Sequence, residues 1–180
     1  MKSSRKASLT GLTALILIIY AALPSKVLAA SNRSVAAQWS VQVDKVQPGD
    51  VNIGPSFRVA IYENLLEELV KAKQFEEVLR DGDRDANSLP SLLILKTTVE
   101  AYTEGSETRR AVTTVSGATK LKVRSQLCTR EGQIVLEREL NGNVRFFGGN
   151  LRATHNLAHN VADAIKQSTL PEPAPSAPKQ

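Results

Sequence analysis

Along residues 92–102, apolar and polar side chains alternate. Successive side chains of a β-strand point to opposite faces of the sheet, so this stretch predicts a long strand with one buried face. A polar second face is typical of an antiparallel sheet that is covered on one side only. The buried set is Leu93, Leu95, Thr97, Val99 and Ala101, and the polar set is Lys96, Thr98 and Glu100.

The remaining elements complete an α+β fold. Short strands are predicted at 39–43 and 75–79, and two more at 121–128 and 134–140 form a hairpin around Glu131-Gly132. Residues 56–72 and 151–165 carry apolar side chains at helical spacing. Pro48-Gly49-Asp50 marks a loop, and Asn141-Gly142-Asn143 ends the last strand. The order β-α-β-β-β-β-α predicts a two-layer sandwich, a mostly antiparallel β-sheet with two α-helices on one face.

The first 29 residues have the pattern of an export signal. Lys2, Arg5 and Lys6 precede an apolar run from Leu9 to Leu23, and small side chains lead up to Ala29. The run is shorter than the roughly twenty residues that span a bilayer. We therefore predict that residues 1–29 are a signal peptide that is removed, placing the product in the periplasm or outside the cell. An uncleaved membrane anchor is the alternative.

Three segments follow the predicted cleavage site. Residues 30–37 are small and polar and are expected to be flexible, residues 38–169 form a single α+β domain, and residues 170–180 form a disordered Pro-rich tail. All 18 acidic residues but only 19 of the 23 basic ones lie after Ala29. The mature chain is therefore nearly neutral, which argues against nucleic-acid binding. Because the residue directly after the predicted cleavage site is Ala30 and not cysteine, we expect no lipid anchor.

His155, His159 and Asp163 follow one another at four-residue spacing on the last predicted helix. Residues four apart share a helix face, and two histidines with one carboxylate can hold zinc. Asn156 stands where metalloproteases of this pattern have a glutamate as general base. The residues fit an ordinary solvated face better than a metal site, so we expect no metal, no cofactor and no enzymatic activity.

Basic residues gather on and beside the predicted hairpin. Glu137 and Glu139 lie across from them, and cross-strand ion pairs would neutralise much of the charge. By strand alternation Cys128, the only cysteine, points away from the core, where it is either an intermolecular disulfide partner or an inert thiol. The possible interaction surface consists of Arg109, Arg110, Lys122, Arg124 and Cys128.

Several segments together resemble domain-of-unknown-function family 4410 of bacterial envelope proteins. The likeness spans most of residues 39–168 and depends on loose patterns of Gly, Arg and aliphatic residues. It implies a small α+β module of the kind used by outer-membrane and periplasmic lipoproteins that assist larger envelope machines, and it supplies no catalytic residues. Many members begin with a lipidated cysteine, which is lacking here. The segments are 57–78, 108–117, 121–129, 132–136 and 160–165.

The sequence thus predicts an exported accessory domain of the cell envelope that binds an unidentified envelope protein. Two alternatives remain: a metal-dependent enzyme using His155, His159 and Asp163, and a lipid- or glycan-binding module that uses the basic hairpin.

Overall fold

The structure, a computed structural model, describes residues 39–112, 117–144 and 149–173. The predicted signal peptide, the segment 30–37 and residues 174–180 lie outside this part. Of the predicted tail, residues 170–173 are described: the Trp39 indole donates a hydrogen bond to the Pro171 carbonyl at 2.7 Å, and Pro173 is buried.

The predicted α+β class and the order of the predicted elements are confirmed. Two short helices, α2 and a 3₁₀ turn at Asp85–Ser88, occur in connections where no helix was predicted. The elements are β1 (Ser40–Val43), α1 (Pro55–Ala72), β2 (Val78–Arg80), β3 (Leu92–Thr103), α2 (Glu107–Val112), β4 (Thr119–Thr129), β5 (Ile134–Val144) and α3 (Arg152–Lys166).

The five strands form one mixed sheet in the order β2-β1-β3-β4-β5. β1 pairs in parallel with both β2 and β3, whereas β3, β4 and β5 pair antiparallel. The sheet is therefore less antiparallel than the sequence suggested. The reason is α1, which carries the chain from the end of β1 back to the start of β2 and so makes a parallel crossover.

The main core lies between one face of the sheet and the two long helices. Leu93 and Leu95 of β3 are fully buried, and Ile61 and Leu65 of α1 meet them there with Leu157 of α3. Because α1 and α3 pack on the same face, neither of these two long helices covers the opposite face. We call it the outer face; it carries Lys96, Thr98, Lys122 and Arg124.

A bulge in β3 changes which residues face the core. The pairing with β4 shifts between Val99 and Ala101, so Ala101 lies opposite Lys122 on the outer face. Tyr102 instead lies opposite Leu121 on the core side, where its ring is 4.9 Å from that of Phe57. The predicted inward position of Ala101 is therefore wrong, because a bulge reverses the alternation beyond it.

We expect Thr97→Val to stabilise the protein by about 1 kcal/mol. The Thr97 hydroxyl is buried in the core and has no hydrogen-bond partner among the described residues. Valine has nearly the same shape and removes the unsatisfied group. Urea unfolding measures the change, and Thr98→Val on the outer face is the control that should change little. A loss of stability in Thr97→Val would show that the hydroxyl has a partner.

Candidate functional site

Two basic residues of the outer face, Lys122 and Arg124, are engaged in a cross-strand ion-pair network. Lys122 Nζ lies 3.2 Å from Glu100 and 2.7 Å from Glu139. Arg124 lies 2.6 Å from Glu100 and 3.6 Å from Glu137. Burial opposes ionisation of Glu100, but hydrogen bonds from Lys122 and Arg124 outweigh it, so the pKa of Glu100 is below its usual value. This part of the hairpin is therefore nearly neutral and offers little attraction for anionic lipid or glycan.

The two other arginines of the predicted surface lie elsewhere. Arg109 is on α2, in the connection between β3 and β4, and its backbone N–H donates to the Ser106 hydroxyl at 3.3 Å. Arg110 is on the same helix, and its side chain lies outside the described residues. Neither arginine therefore lies on β4, the strand that carries Lys122 and Arg124.

Cys128 is buried, with 3% of its surface exposed. It pairs in register with Ile94, whose neighbours Leu93 and Leu95 are in the main core, so its side chain does point to the outer face. At this end of the outer face, however, Leu79, Ala86 and Leu92 form a second small cluster. Of the two alternatives for Cys128, the inert thiol fits this burial, since only 3% of the residue's surface is open to a partner.

A buried carboxylate joins the two long helices. Glu68 of α1 has a side chain only 9% exposed, and it accepts a hydrogen bond from Lys71 Nζ at 3.0 Å. Two histidines of α3 approach the same carboxylate. His159 Nδ1 lies 3.2 Å from Glu68 Oε2, and His155 Nδ1 lies 3.9 Å from Glu68 Oε1, the oxygen that Lys71 also contacts. On α3 itself, His159 Nε2 lies 3.3 Å from Asp163. We call these five residues the Glu68 network.

The Glu68 network does not have the arrangement of a zinc site. Both ring nitrogens of His159 face carboxylate oxygens, one of Glu68 and one of Asp163, and Nδ1 of His155 faces the same Glu68 carboxylate. Within the described ranges, no group of three or more His, Cys, Asp or Glu side chains is placed to hold a metal ion. The geometry therefore gives the metal-dependent alternative no support.

Glu68 was not predicted as a site residue, although the sequence contains a signal for it. Position 68 falls on the apolar stripe of α1, three residues after Leu65 and four before Ala72. A charged residue on a buried helical face needs a partner from a packed neighbour. The spacing could have predicted such a partner but could not have identified α3 as its source.

We expect acid to destabilise the protein partly through Glu68. Burial would raise the pKa of Glu68, but hydrogen bonds from Lys71 and His159 and the nearby charges of Lys71 and His155 outweigh it, so its pKa is lowered. A carboxyl with a lower pKa in the folded state contributes stability above its unfolded pKa of about 4.3, and the contribution is lost as pH falls through the folded pKa.

Glu68→Gln should therefore reduce the loss of stability between pH 7 and pH 3, as measured by urea unfolding at a series of pH values. Glu67→Gln is the matched control: Glu67 is one residue away, pairs with the same lysine at 2.7 Å and is 58% exposed. Exposed pairs contribute little. Equal effects of the two substitutions would contradict the role of Glu68.

β5 forms one edge of the sheet, and α3 covers only part of it. Asn156 and Asn160 of α3 donate side-chain hydrogen bonds to the carbonyls of Asn143 and Asn141 at 2.8 and 2.7 Å. The preceding stretch, Ile134–Leu140, pairs with β4 on one side, and within the described residues no further strand pairs on the other. A strand with an unpaired backbone edge is a site where another chain can add.

The molecule is therefore an α+β domain with a largely self-neutralised sheet face and an open sheet edge. No protein-family model matches the chain, and no curated protein matches it. Among solved structures it is similar to a PelC dodecamer from Paraburkholderia phytofirmans, with a TM-score of 0.57 and 13% identity over 73% of this chain and 90% of that chain.

A second crystal form, of a single-residue variant of the same PelC, gives a TM-score of 0.51 and 16% identity over 69% of this chain and 86% of that chain. At this identity the similarity shows a shared fold. Within the described ranges, no helix has both the length and the apolar character needed to cross a membrane.

Proposed function

We propose that this protein is an exported accessory domain of the bacterial cell envelope that acts by binding other proteins, including copies of itself, and not by catalysis. The observation that carries the proposal is the fold shared with the PelC dodecamers over 73% of this chain. The predicted export signal and the resemblance to family 4410 point to the same compartment.

The open edge of β5 supports self-association and restricts its geometry. If β5 of two copies paired antiparallel about a two-fold axis, the outer-face side chains of both strands would lie on the same side of the joined sheet. Centred on Glu137–Glu139, such a pairing would place Glu137 against the same residue or against Glu139 of the second copy, and like charges directly opposite are destabilising. A head-to-tail contact between different surfaces avoids this clash, and such contacts form a ring when the rotation between neighbouring copies closes.

The Glu68 network supports the non-catalytic part of the proposal. Its histidines and carboxylates are joined to one another and to Lys71, between two helices that they help to hold together. The arrangement accounts for His155, His159 and Asp163 without a reaction. A structural role for these residues leaves protein binding as the activity to test.

The proposal is tested by expressing the full 180-residue chain in a bacterium and collecting the periplasmic fraction. We expect the product to begin at Ala30 and to have, by light scattering after gel filtration, the mass of several copies. A product that begins at Met1 in the cytosol would contradict export. A monomer that crosslinks to no envelope protein would contradict the binding role.

Photocrosslinking from single positions tests the edge itself. A photoreactive residue at Arg138, exposed on the open stretch of β5, should form crosslinks to a second copy. The same residue at Arg84, which is also exposed but precedes the 3₁₀ turn, is the matched control. Equal crosslinking from both positions would show that β5 is not the contact.

A further inference from the structure

A cavity of about 370 Å³ lies beside the first two turns of α1, next to the segments that follow β1 and β2. Its size is within the range of small-molecule sites. Lys45 and Val46 follow β1 directly and Asp81 follows β2, so the cavity opens at the carboxyl ends of two parallel strands. Ligands of open sheets with parallel strands bind at such ends.

Among the charged residues that line the cavity, one cation has no partner. Glu63 is held by two hydrogen bonds of 2.7 Å from Arg80, and Asp81 lies 3.2 Å from Lys45. Arg58, by contrast, forms no ion pair with the described residues, and its Nε–H is buried without an acceptor. The local charge that remains available is therefore the Arg58 guanidinium, whose planar donors match a carboxylate.

Two further features favour an anion that carries hydrocarbon. Pro55 and Val59 give the cavity an apolar wall, and 59% of the surface of Val59 is exposed and free to pack against a ligand. The first turn of α1 contains no acidic residue, and the residue at the N-cap, Gly54, has no side chain to cap the helix. The uncompensated N-terminus of an 18-residue helix adds positive potential on this side.

The wall also discriminates against multiply charged ligands. Glu63 and Asp81 line the cavity, and Asp44 is close enough to Asp81 that the two carboxyls interact. A phosphate dianion would meet this negative charge with only one unpaired guanidinium to offset it. The single negative charge of a carboxylate, by contrast, is balanced by the one positive charge of the Arg58 guanidinium.

We propose that this cavity binds a carboxylate attached to a short apolar group, with Arg58 holding the carboxylate and Val59 and Pro55 packing against the hydrocarbon. This chemistry belongs both to small free aliphatic acids and to the C-terminal residue of a peptide ending in valine or leucine. The site does not depend on self-association through β5, which lies at the other edge of the sheet.

The test is a titration of the ¹⁵N-labelled protein followed by two-dimensional NMR. The probes are hexanoate and an acetylated Ala-Ala-Val peptide with a free C-terminus; their amide counterparts, hexanamide and the amidated peptide, are the ligand controls. We expect saturable shifts at the backbone amides of residues 45–46 and 56–63 with at least one of the two acids and with neither of the amide controls. Binding of hexanoate alone identifies a free acid as the source, and binding of the peptide alone identifies a chain terminus.

Arg58→Met should weaken this binding about tenfold or more, since it removes charge-assisted hydrogen bonds. Val59→Asp, at an exposed position that does not disturb the core, should weaken it as well. Arg84→Met is the matched control and should bind like the wild type. Absence of saturable shifts with both acids, unchanged affinity in Arg58→Met, or equal binding of inorganic phosphate would each overturn the proposal.

Discussion

Replacing Gly142 with alanine is expected to lower the free energy of unfolding by about 3 kcal/mol. Gly142 is where α3 crosses β5. A methyl group there would lie 2.1 Å from the Ala153 carbonyl oxygen, 2.6 Å from Leu157 Cβ and 2.9 Å from the Leu157 backbone nitrogen. These atoms are mostly backbone and cannot rotate away, so the helix itself must move from the sheet.

Urea unfolding of the purified domain measures the effect, and Gly54→Ala is the control. At Gly54 an added methyl would come no closer than 3.9 Å to its nearest neighbour, the Ser56 hydroxyl. The backbone φ there is −61°, which any residue adopts. Because Gly54 is the N-cap of α1, where glycine is preferred over alanine, we expect a loss of less than about 1 kcal/mol. A similar small change at Gly142 would show that α3 does not pack as closely as described.

Displacement of α3 should also weaken its contacts with β5 at the edge of the sheet. Asn156 and Asn160 bond to the β5 carbonyls on both sides of Gly142, and these bonds require the helix to stay close. Loss of the close crossing would uncover the end of β5 along with the stretch that is already open. Gly142→Ala is therefore expected to aggregate more readily on mild heating than Gly54→Ala, which turbidity measures.

Local pattern was sufficient for the fold class but not for the arrangement of strands. Alternation predicted β3 and its buried face correctly up to Val99, because each residue's direction depends only on its neighbours. The parallel pairing of β1 with β2 and β3 depends on how the chain returns after α1. No local pattern contains that information, so the sequence predicted a sheet that was too antiparallel.

The same limit explains the residues that were misplaced or missed. Asn141-Gly142-Asn143 has the composition of a strand end, yet β5 continues to Val144. Gly142 has no side chain, which allows residues of α3 that lie 11 or more positions later in the chain to pack directly against the strand. Glu68 and His159 are 91 positions apart and meet only through helix packing. Cys128 was placed on the correct face, but alternation along one strand does not show how deeply a side chain is buried.

Some contacts of the candidate site could be predicted from the sequence, and others depend on distant parts of the chain. Neutralisation of Lys122 and Arg124 by Glu137 and Glu139 could be predicted, because the two strands of a hairpin are in a register that the turn fixes. The ion pairs of Glu100 with Lys122 and Arg124 could not be predicted, because they depend on the pairing of β3 with β4. Arg58 has no sequence signature at all, because its lack of a partner is a property of its surroundings.

Gly49→Ala is expected to destabilise the domain by about 3 kcal/mol, for two reasons that a control can separate. The residue has a φ of +56°, which disfavours a side chain, and an added methyl would lie 2.4 Å from the Val99 carbonyl oxygen. That contact lies beside the hydrogen bonds from Gln47 N–H to Thr97 and from Val99 N–H to Gln47, which extend the sheet beyond β1.

Gly82→Ala provides the matched control for the backbone conformation. Gly82 has a φ of +78°, but an added methyl there would meet nothing within 4 Å, so only the cost of the left-handed conformation remains, about 1 kcal/mol. The difference between the two variants in urea unfolding measures the clash with Val99. Because the loop after β1 also supplies Lys45 and Val46 to the cavity, Gly49→Ala should shift their amide resonances while Gly82→Ala leaves those of Val46 in place. Equal destabilisation by the two substitutions would show that the loop is not held against β3 at Val99, and the wall of the cavity would then have to be formed in another way.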